Sequence, residues 1–172
     1  VLSGMRGQMS RNLQGGISCM KQEITSPSSM KLEDLKPDIQ DRIRRHIHPL
    51  SGTGRAEILE VGPGHAKIAV TIGPDCLNYY GNLHGGFLFT LCDSASGMAT
   101  TCLEQLNVTQ NSSIQFIHGA SQGRVYVEAN SLHIGKRSVV NQVTATDQDG
   151  TLLVTATFTM CLLGPFSNFK TP

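Results

Sequence analysis

The stretch from Gly85 to Leu103 contains no proline and places apolar residues at Leu88, Leu91, Cys92, Ala95, Met98, Ala99 and Cys102, the spacing of one helical face. It is the one long helix of the chain's main domain, and the sequence around it reads as strand. Before it, Ala56–Val61 and Ala66–Ile72 alternate and are rich in Ile and Val, with Gly62-Pro63-Gly64 between them as a hairpin turn. After it, Ser113–Ile117, Val125–Ile134, Ser138–Ala145 and Leu152–Leu163 are β-branched or alternating. Gly119, Gly123, Gly135 and Asp147-Gln148-Asp149-Gly150 separate them. Two strands, a helix and four strands predict an α+β domain in which an antiparallel sheet wraps its concave face around one long central helix.

That domain spans about residues 50–164, leaving an N-terminal extension over 1–48 and a short tail over 165–172. The first 30 residues mix Gly, Ser and Gln with few large apolar side chains and cannot bury enough surface to offset ordering entropy. Leu35, Ile39 and Ile43 then recur at four-residue spacing, and Pro37 with Asp38 can open a short amphipathic helix over about Pro37 to Ile47. His46 and His48 sit at its end on a solvated face, with no third ligand at metal-binding spacing. Arg6, Arg11 and Lys21 precede the first acid, Glu23, a bias shared by organellar transit peptides and by ordinary tails.

Charge narrows the class of partner. Residues 1–48 hold eight Lys/Arg against five Asp/Glu, and residues 49–172 hold six against eight. The domain lacks the clustered positive charge that phosphate-driven nucleic-acid binding needs. The five cysteines, Cys19, Cys76, Cys92, Cys102 and Cys161, have no CxxC spacing and mostly sit in apolar runs, as buried thiols in a reducing compartment do. These features point to the cytoplasm or the mitochondrial matrix. No apolar run approaches the roughly 18 residues of a membrane span.

Asp93 is the only charged residue from Gly85 through Leu103. An ionised carboxylate in an apolar helix is costly to desolvate and needs a partner or a purpose. It cannot be a helix cap, because about two turns precede it. It projects to one side of the apolar stripe, near Thr90 and Gly97, a small-residue side suited to a second subunit. Upstream, His84-Gly85-Gly86 opens the helix. Two glycines there let a ligand approach closely, and the free first-turn amides point outward with the positive end of the helix dipole. A turn with no chemistry is the plainer reading of a lone Gly-Gly.

Taken together, Asn78, then Gly81-Asn82-Leu83-His84-Gly85-Gly86, then Asp93 resemble the signature of the PaaI-like hotdog-fold acyl-CoA thioesterases. The likeness runs from about Gly54 to Gly164 and includes an HxGK-like turn at His133-Ile134-Gly135-Lys136. It implies a hotdog fold that hydrolyses an acyl-coenzyme A, with no cofactor beyond the coenzyme A of the substrate. Asp93 would be the general base or nucleophile, the Gly85 amide would polarise the thioester carbonyl, Asn78 would orient substrate or water, and His84 would brace the turn. The family's sites lie between two subunits, so the resemblance implies a homodimer, extending to a dimer of dimers, with Asp93 facing Asn78 and Gly85 of its partner. The water-positioning Ser or Thr that the family carries after the helix aligns with Asn111, with Ser112 as runner-up. Lys136, Arg137 and Ser138, with Gly86 and Ser112, are the expected coenzyme A contacts, since charge and hydroxyl donors suit phosphate.

Three other readings compete. A hotdog hydroxyacyl-thioester dehydratase needs a His and an acid in different motifs, and no HxxxPG-like stretch is present. A non-catalytic acyl-CoA-binding protein has no use for Asp93. A Cys92 nucleophile fails on helical geometry, because neighbours point about 100° apart and Cys92 falls within the apolar stripe. Tyr79, Tyr80, Phe87 and Phe89 are the expected lining of the acyl groove. Glu104, His65 and His118 read as a helix-end acid, a loop residue and a strand residue.

Overall fold

Alternation in the strands becomes a one-sided sheet because every second side chain can leave water only by facing the helix. In the computed structural model, which describes residues 51–166 together with Glu33, Pro37 and Gln40, the elements are β1 (Glu57–Gly62), β2 (His65–Thr71), α1 (Gly85–Thr101), β3 (Gln105–Phe116), β4 (Arg124–Ile134), β5 (Ser138–Asp147) and β6 (Leu152–Pro165). The sheet runs β1-β2-β4-β5-β6-β3, and each neighbouring pair is antiparallel. This is the predicted hotdog architecture. The predicted helix over Pro37 to Ile47, with His46 and His48, lies outside the described residues except for Pro37 and Gln40, which are helical.

The core is the contact between the inner face of the sheet and one side of α1. Ile68 and Val70 of β2, Val125 and Val127 of β4, Val143 of β5 and Phe158 of β6 are buried against Phe87, Leu88, Leu91, Cys92, Ala95 and Ala99. One polar group is built into it. Asn141 of β5 is fully buried, and its Nδ2 donates to the Ser96 carbonyl (3.1 Å), Ser96 Oγ (2.8 Å) and Thr100 Oγ1 (3.0 Å), while its Oδ1 accepts from Ser131 Oγ at 2.6 Å. A buried amide is tolerated because its polar atoms are satisfied.

Two elements differ from the sequence reading. The helix stops at Thr101 rather than Leu103, because Cys102 caps it and Glu104 turns the chain with φ 60°. β3 begins at Gln105, eight residues before Ser113. Its first half is a polar run that gives no alternation, and it is strand because it pairs with β6 along its length on one side while forming a sheet edge on the other. At the start of the domain, Arg55 grips Asp75 with two bonds of 2.6 and 2.7 Å, and Ser51 Oγ adds a third at 2.6 Å. The Arg55 guanidinium, and then the Ser51 hydroxyl, hold the Asp75 carboxyl far below the usual carboxylate range. No helix among the described residues is long and apolar enough to cross a membrane.

Candidate active site

The loop entering α1 is organised by Asn78. Its Oδ1 accepts from the amides of Tyr80 (3.0 Å) and Asn82 (3.1 Å), and its backbone closes on Asn82 and Gly81 at 2.7 and 2.9 Å. Gly81 takes the left-handed conformation, φ 82°, that so tight a loop demands. The carbonyl end of the Asn78 side chain is thus occupied, and its Nδ2 donors have no protein acceptor among the described residues. Leu83 N–H then donates to the Ala120 carbonyl at 2.7 Å, and His84 N–H to the Cys76 carbonyl at 2.9 Å, which fixes where the helix starts.

His84 is the N-cap of α1. Its Nδ1 accepts from the Gly86 amide at 2.9 Å, and its carbonyl accepts from the Leu88 amide at 3.1 Å. Gly86, expected among the coenzyme A contacts, therefore has its amide committed to His84. The Gly85 amide is left without an acceptor among the described residues, at the positive end of a 17-residue helix. The ring of Phe116 lies against it: a Cβ on Gly85 would come within 3.3 Å of Phe116 Cζ. Asn78, Gly85, Leu88, Phe116, Ile117 and His118 are among the residues lining an open groove of about 470 Å³. His118 Nδ1 lies 2.8 Å from the Leu152 carbonyl; a carbonyl only accepts, so Nδ1 carries the proton and donates.

Asp93 lies eight residues further along the helix, about 12 Å down its axis at about 1.5 Å per residue. Half-buried, it accepts a 2.5 Å hydrogen bond at Oδ1 from Thr109 Oγ1. Thr109, rather than the expected Asn111 or Ser112, is the residue after the helix that bonds to Asp93. A bulge at Gln110 shifts the register between Thr109 and Asn111. Thr109 pairs with buried Met160 on the inner face, whereas Asn111 pairs with Thr159 on the outer face. Ser112, opposite buried Phe158, faces inward without reaching Asp93. Cys92, fully buried beside Asp93, is pushed up to about 12 first by burial and then by the Asp93 charge, so it is no thiolate nucleophile.

None of the four expected aromatic residues is among those lining the groove at Gly85. Phe87 is in the core, Phe89 packs on Phe158 with centroids 5.5 Å apart, and Tyr79 and Tyr80 contact each other. The ring at Gly85 is instead Phe116. Lys136 and Arg137 are exposed on the β4–β5 turn, which closes through a 2.9 Å bond from the Gly135 amide to the Ser138 carbonyl. Lys136 lines a second open groove, of about 370 Å³, with Leu103, Gln105, Ile134, Gly135 and Leu162, at the opposite end of α1 from Gly85. Among the described residues no three His, Cys, Asp or Glu side chains gather as a metal cluster.

The model of the Thioesterase superfamily matches residues 80–154. A protein of Archaeoglobus fulgidus, provisionally named an esterase, is 30% identical over 84 residues, and the match spans about half of each chain, 48% of this one and 54% of the other. A hypothetical thioesterase protein of Streptococcus pneumoniae TIGR4, solved with coenzyme A, is 34% identical with a TM-score of 0.67, covering 69% of this chain and 96% of that one. The same Streptococcus protein has also been solved with a single Thr-to-Ala and with a single Asp-to-Ala substitution, at positions sixteen residues apart. Asp93 and Thr109 are also sixteen apart. A Streptococcus mutans UA159 protein bound to acetyl CoA is 30% identical, with a TM-score of 0.64 over 70% of this chain and 98% of that one.

Proposed function

The chain belongs to the thioesterase superfamily, a family of thioester hydrolases, and we propose that it hydrolyses an acyl-coenzyme A at a site that two copies of the chain build together. The observation that carries this reading is the separation within α1: Gly85, with its acceptor-free amide, and Asp93, bound by Thr109, stand about 12 Å apart along the helix axis, too far to act on one thioester carbon. A second chain removes that distance. β3 is a sheet edge and can pair with β3 of another copy about a two-fold axis.

The register proposed keeps inward-facing side chains opposite inward-facing ones, with the two-fold placed at Ser113. Ser112, Ile114 and Phe116 face inward with Phe158, Ala156 and Val154, and Thr109 faces inward with Met160, Gln110 being the extra residue. Directly opposed residues share a face, so a two-fold through Ser113 pairs Ser112 with the second copy's Ile114 and Asn111 with its Gln115. The Thr109–Gln110 bulge then stands opposite Phe116. Asp93 of one chain comes to face Phe116 and Gly85 of the other.

In that arrangement Thr109 holds Asp93 Oδ1 and leaves Oδ2 to take a proton from water. The water oxygen attacks the thioester carbon, and the developing oxyanion accepts from Gly85 N–H, with Asn78 Nδ2 a further donor in the same groove. Collapse of the tetrahedral species breaks the C–S bond, and the departing thiolate recovers the proton from Asp93. Lys136 shares a groove with Leu103, just past the C-terminal end of α1, and with its turn neighbours Arg137 and Ser138 suits the phosphates of coenzyme A. The coenzyme A of the S. pneumoniae structure and the acetyl CoA of the S. mutans structure support this substrate class.

The test is thiol release from short, long and aromatic acyl-CoAs by the parent and by Asp93→Asn. The variant should assemble as the parent does and lose at least about 10²-fold in kcat/KM, the ordinary size of a general-base contribution. Parental rates in the variant would remove Asp93 from the chemistry.

A further inference from the structure

Phe116 is over half exposed (53%) at the tip of an edge strand. Phe87 is buried, Phe89 lies on Phe158 and the two tyrosines lie on each other, so the Phe116 ring stands apart from the other aromatics around α1. Its neighbour is the backbone of Gly85. The space a methyl group would occupy on Gly85 is 3.3 Å from Cζ and 3.4 Å from Cε1 of the ring, tighter than nearly all real contacts of that kind. The ring therefore lies beside the Gly85 backbone, whose amide has no acceptor among the described residues.

A carbonyl oxygen accepting from Gly85 N–H sits about 2.9 Å from the nitrogen, which brings the carbonyl carbon and its substituents into the groove beside that ring. The groove is lined by polar Asn78, Asn82 and His118 and by apolar Leu83, Leu88, Phe116 and Ile117. Sulfur and the pantetheine amides suit the polar groups, and the acyl α-carbon suits the apolar ones. A methyl branch on that α-carbon meets the same ring that would have to yield a few tenths of an ångström to a Cβ on Gly85.

We propose that Phe116 is a specificity-determining residue that admits acyl groups unbranched at the α-carbon and rejects α-branched ones. This rests on the acyl-CoA hydrolysis reading above and adds the substrate class to it. Phe116 is held in place by the strand: its backbone pairs with Val154 of β6, and Ile117 N–H donates to the Leu153 carbonyl at 2.8 Å. The backbone that carries the ring is therefore fixed.

The experiment compares kcat/KM for butyryl-CoA and isobutyryl-CoA, isomers that differ only in where one methyl sits, using the full 172-residue chain, Phe116→Ala and Phe116→Leu. The parent should favour butyryl-CoA by about tenfold or more, the usual discrimination from one methyl-sized clash. Phe116→Ala should bring the ratio close to one by raising the isobutyryl value, and Phe116→Leu should fall between. If the alanine variant does not assemble, the leucine variant and the parent still give the trend. A parent ratio near one, or an unchanged ratio in the variants, overturns the role of Phe116 while hydrolysis of butyryl-CoA leaves the enzyme reading standing. A parent that cleaves neither substrate nor any other acyl-CoA sinks the enzyme reading instead.

Discussion

A cysteine at position 113 measures the register of the subunit pairing directly. Ser113 lies on the outer face of β3, opposite Thr157 of β6, and its side chain is exposed. On the two-fold axis its Cα stands across from its own copy at about 4.5–5.5 Å, the cross-strand spacing of directly opposed antiparallel residues. That falls inside the roughly 4.4–6.8 Å window over which a disulfide closes. Two residues along, Gln115 opposes Asn111, so two copies of Gln115 are offset by four residues and lie about 14 Å apart at about 3.4 Å per residue. Ser113→Cys should therefore form a reducible covalent dimer on mild oxidation, and Gln115→Cys should not, whereas Asn111→Cys combined with Gln115→Cys should. Non-reducing electrophoresis and intact mass read the outcome. Cys76 and Cys92 are buried and do not compete, and the parent controls for half-buried Cys102 and Cys161. The cross-linked dimer should keep thioesterase activity within a few-fold of the parent, since the link joins strands already in place. Efficient cross-linking through Ser112→Cys rather than Ser113→Cys, or through Gln115→Cys alone, would refute the register and with it the placing of Asp93 opposite Gly85.

Two further outcomes follow from single hydrogen-bonded groups. Thr109→Ala should lower kcat/KM by about tenfold or more with little change in KM, because it frees Asp93 to rotate, and Thr109→Ser should recover most of the loss; steady-state thiol release on all three proteins decides it. Asn141→Ala should destabilise the fold by about 2–4 kcal/mol, combining a small cavity with stranded partners at Ser96, Thr100 and Ser131. A urea midpoint shift corresponding to less than about 0.5 kcal/mol would show the network to be dispensable.

What could be read from the chain alone depended on burial. Helix α1 was legible because the sheet buries one of its faces, which writes a 3.6-residue period into Leu88, Leu91, Ala95 and Ala99. The inner residues of β4, β5 and β6 were legible for the same reason with a period of two. The first half of β3 was not, because an edge strand with exposed Val108, Thr109 and Gln110 carries no alternation and its polar run looks like a loop. The same strand hid the partner of Asp93. Which of Thr109, Asn111 and Ser112 faces the helix depends on the bulge at Gln110, a property of pairing with β6 that is invisible in one dimension. Phe116 and His118 were read only as strand residues, since their place beside Gly85 depends on where the end of β3 meets the start of α1.

The Asn141 amide works as an index pin for the helix. Plain apolar packing would let α1 slide by a fraction of a turn or roll a few degrees at small cost, because one methyl group substitutes readily for another. Four directional bonds from a single side chain to Ser96, Thr100 and Ser131 admit only one axial and rotational setting. Asp93 is three residues from Ser96, so the reach of its carboxylate toward a neighbouring chain is set by a polar clasp in the dry centre of the molecule, about one helical turn away.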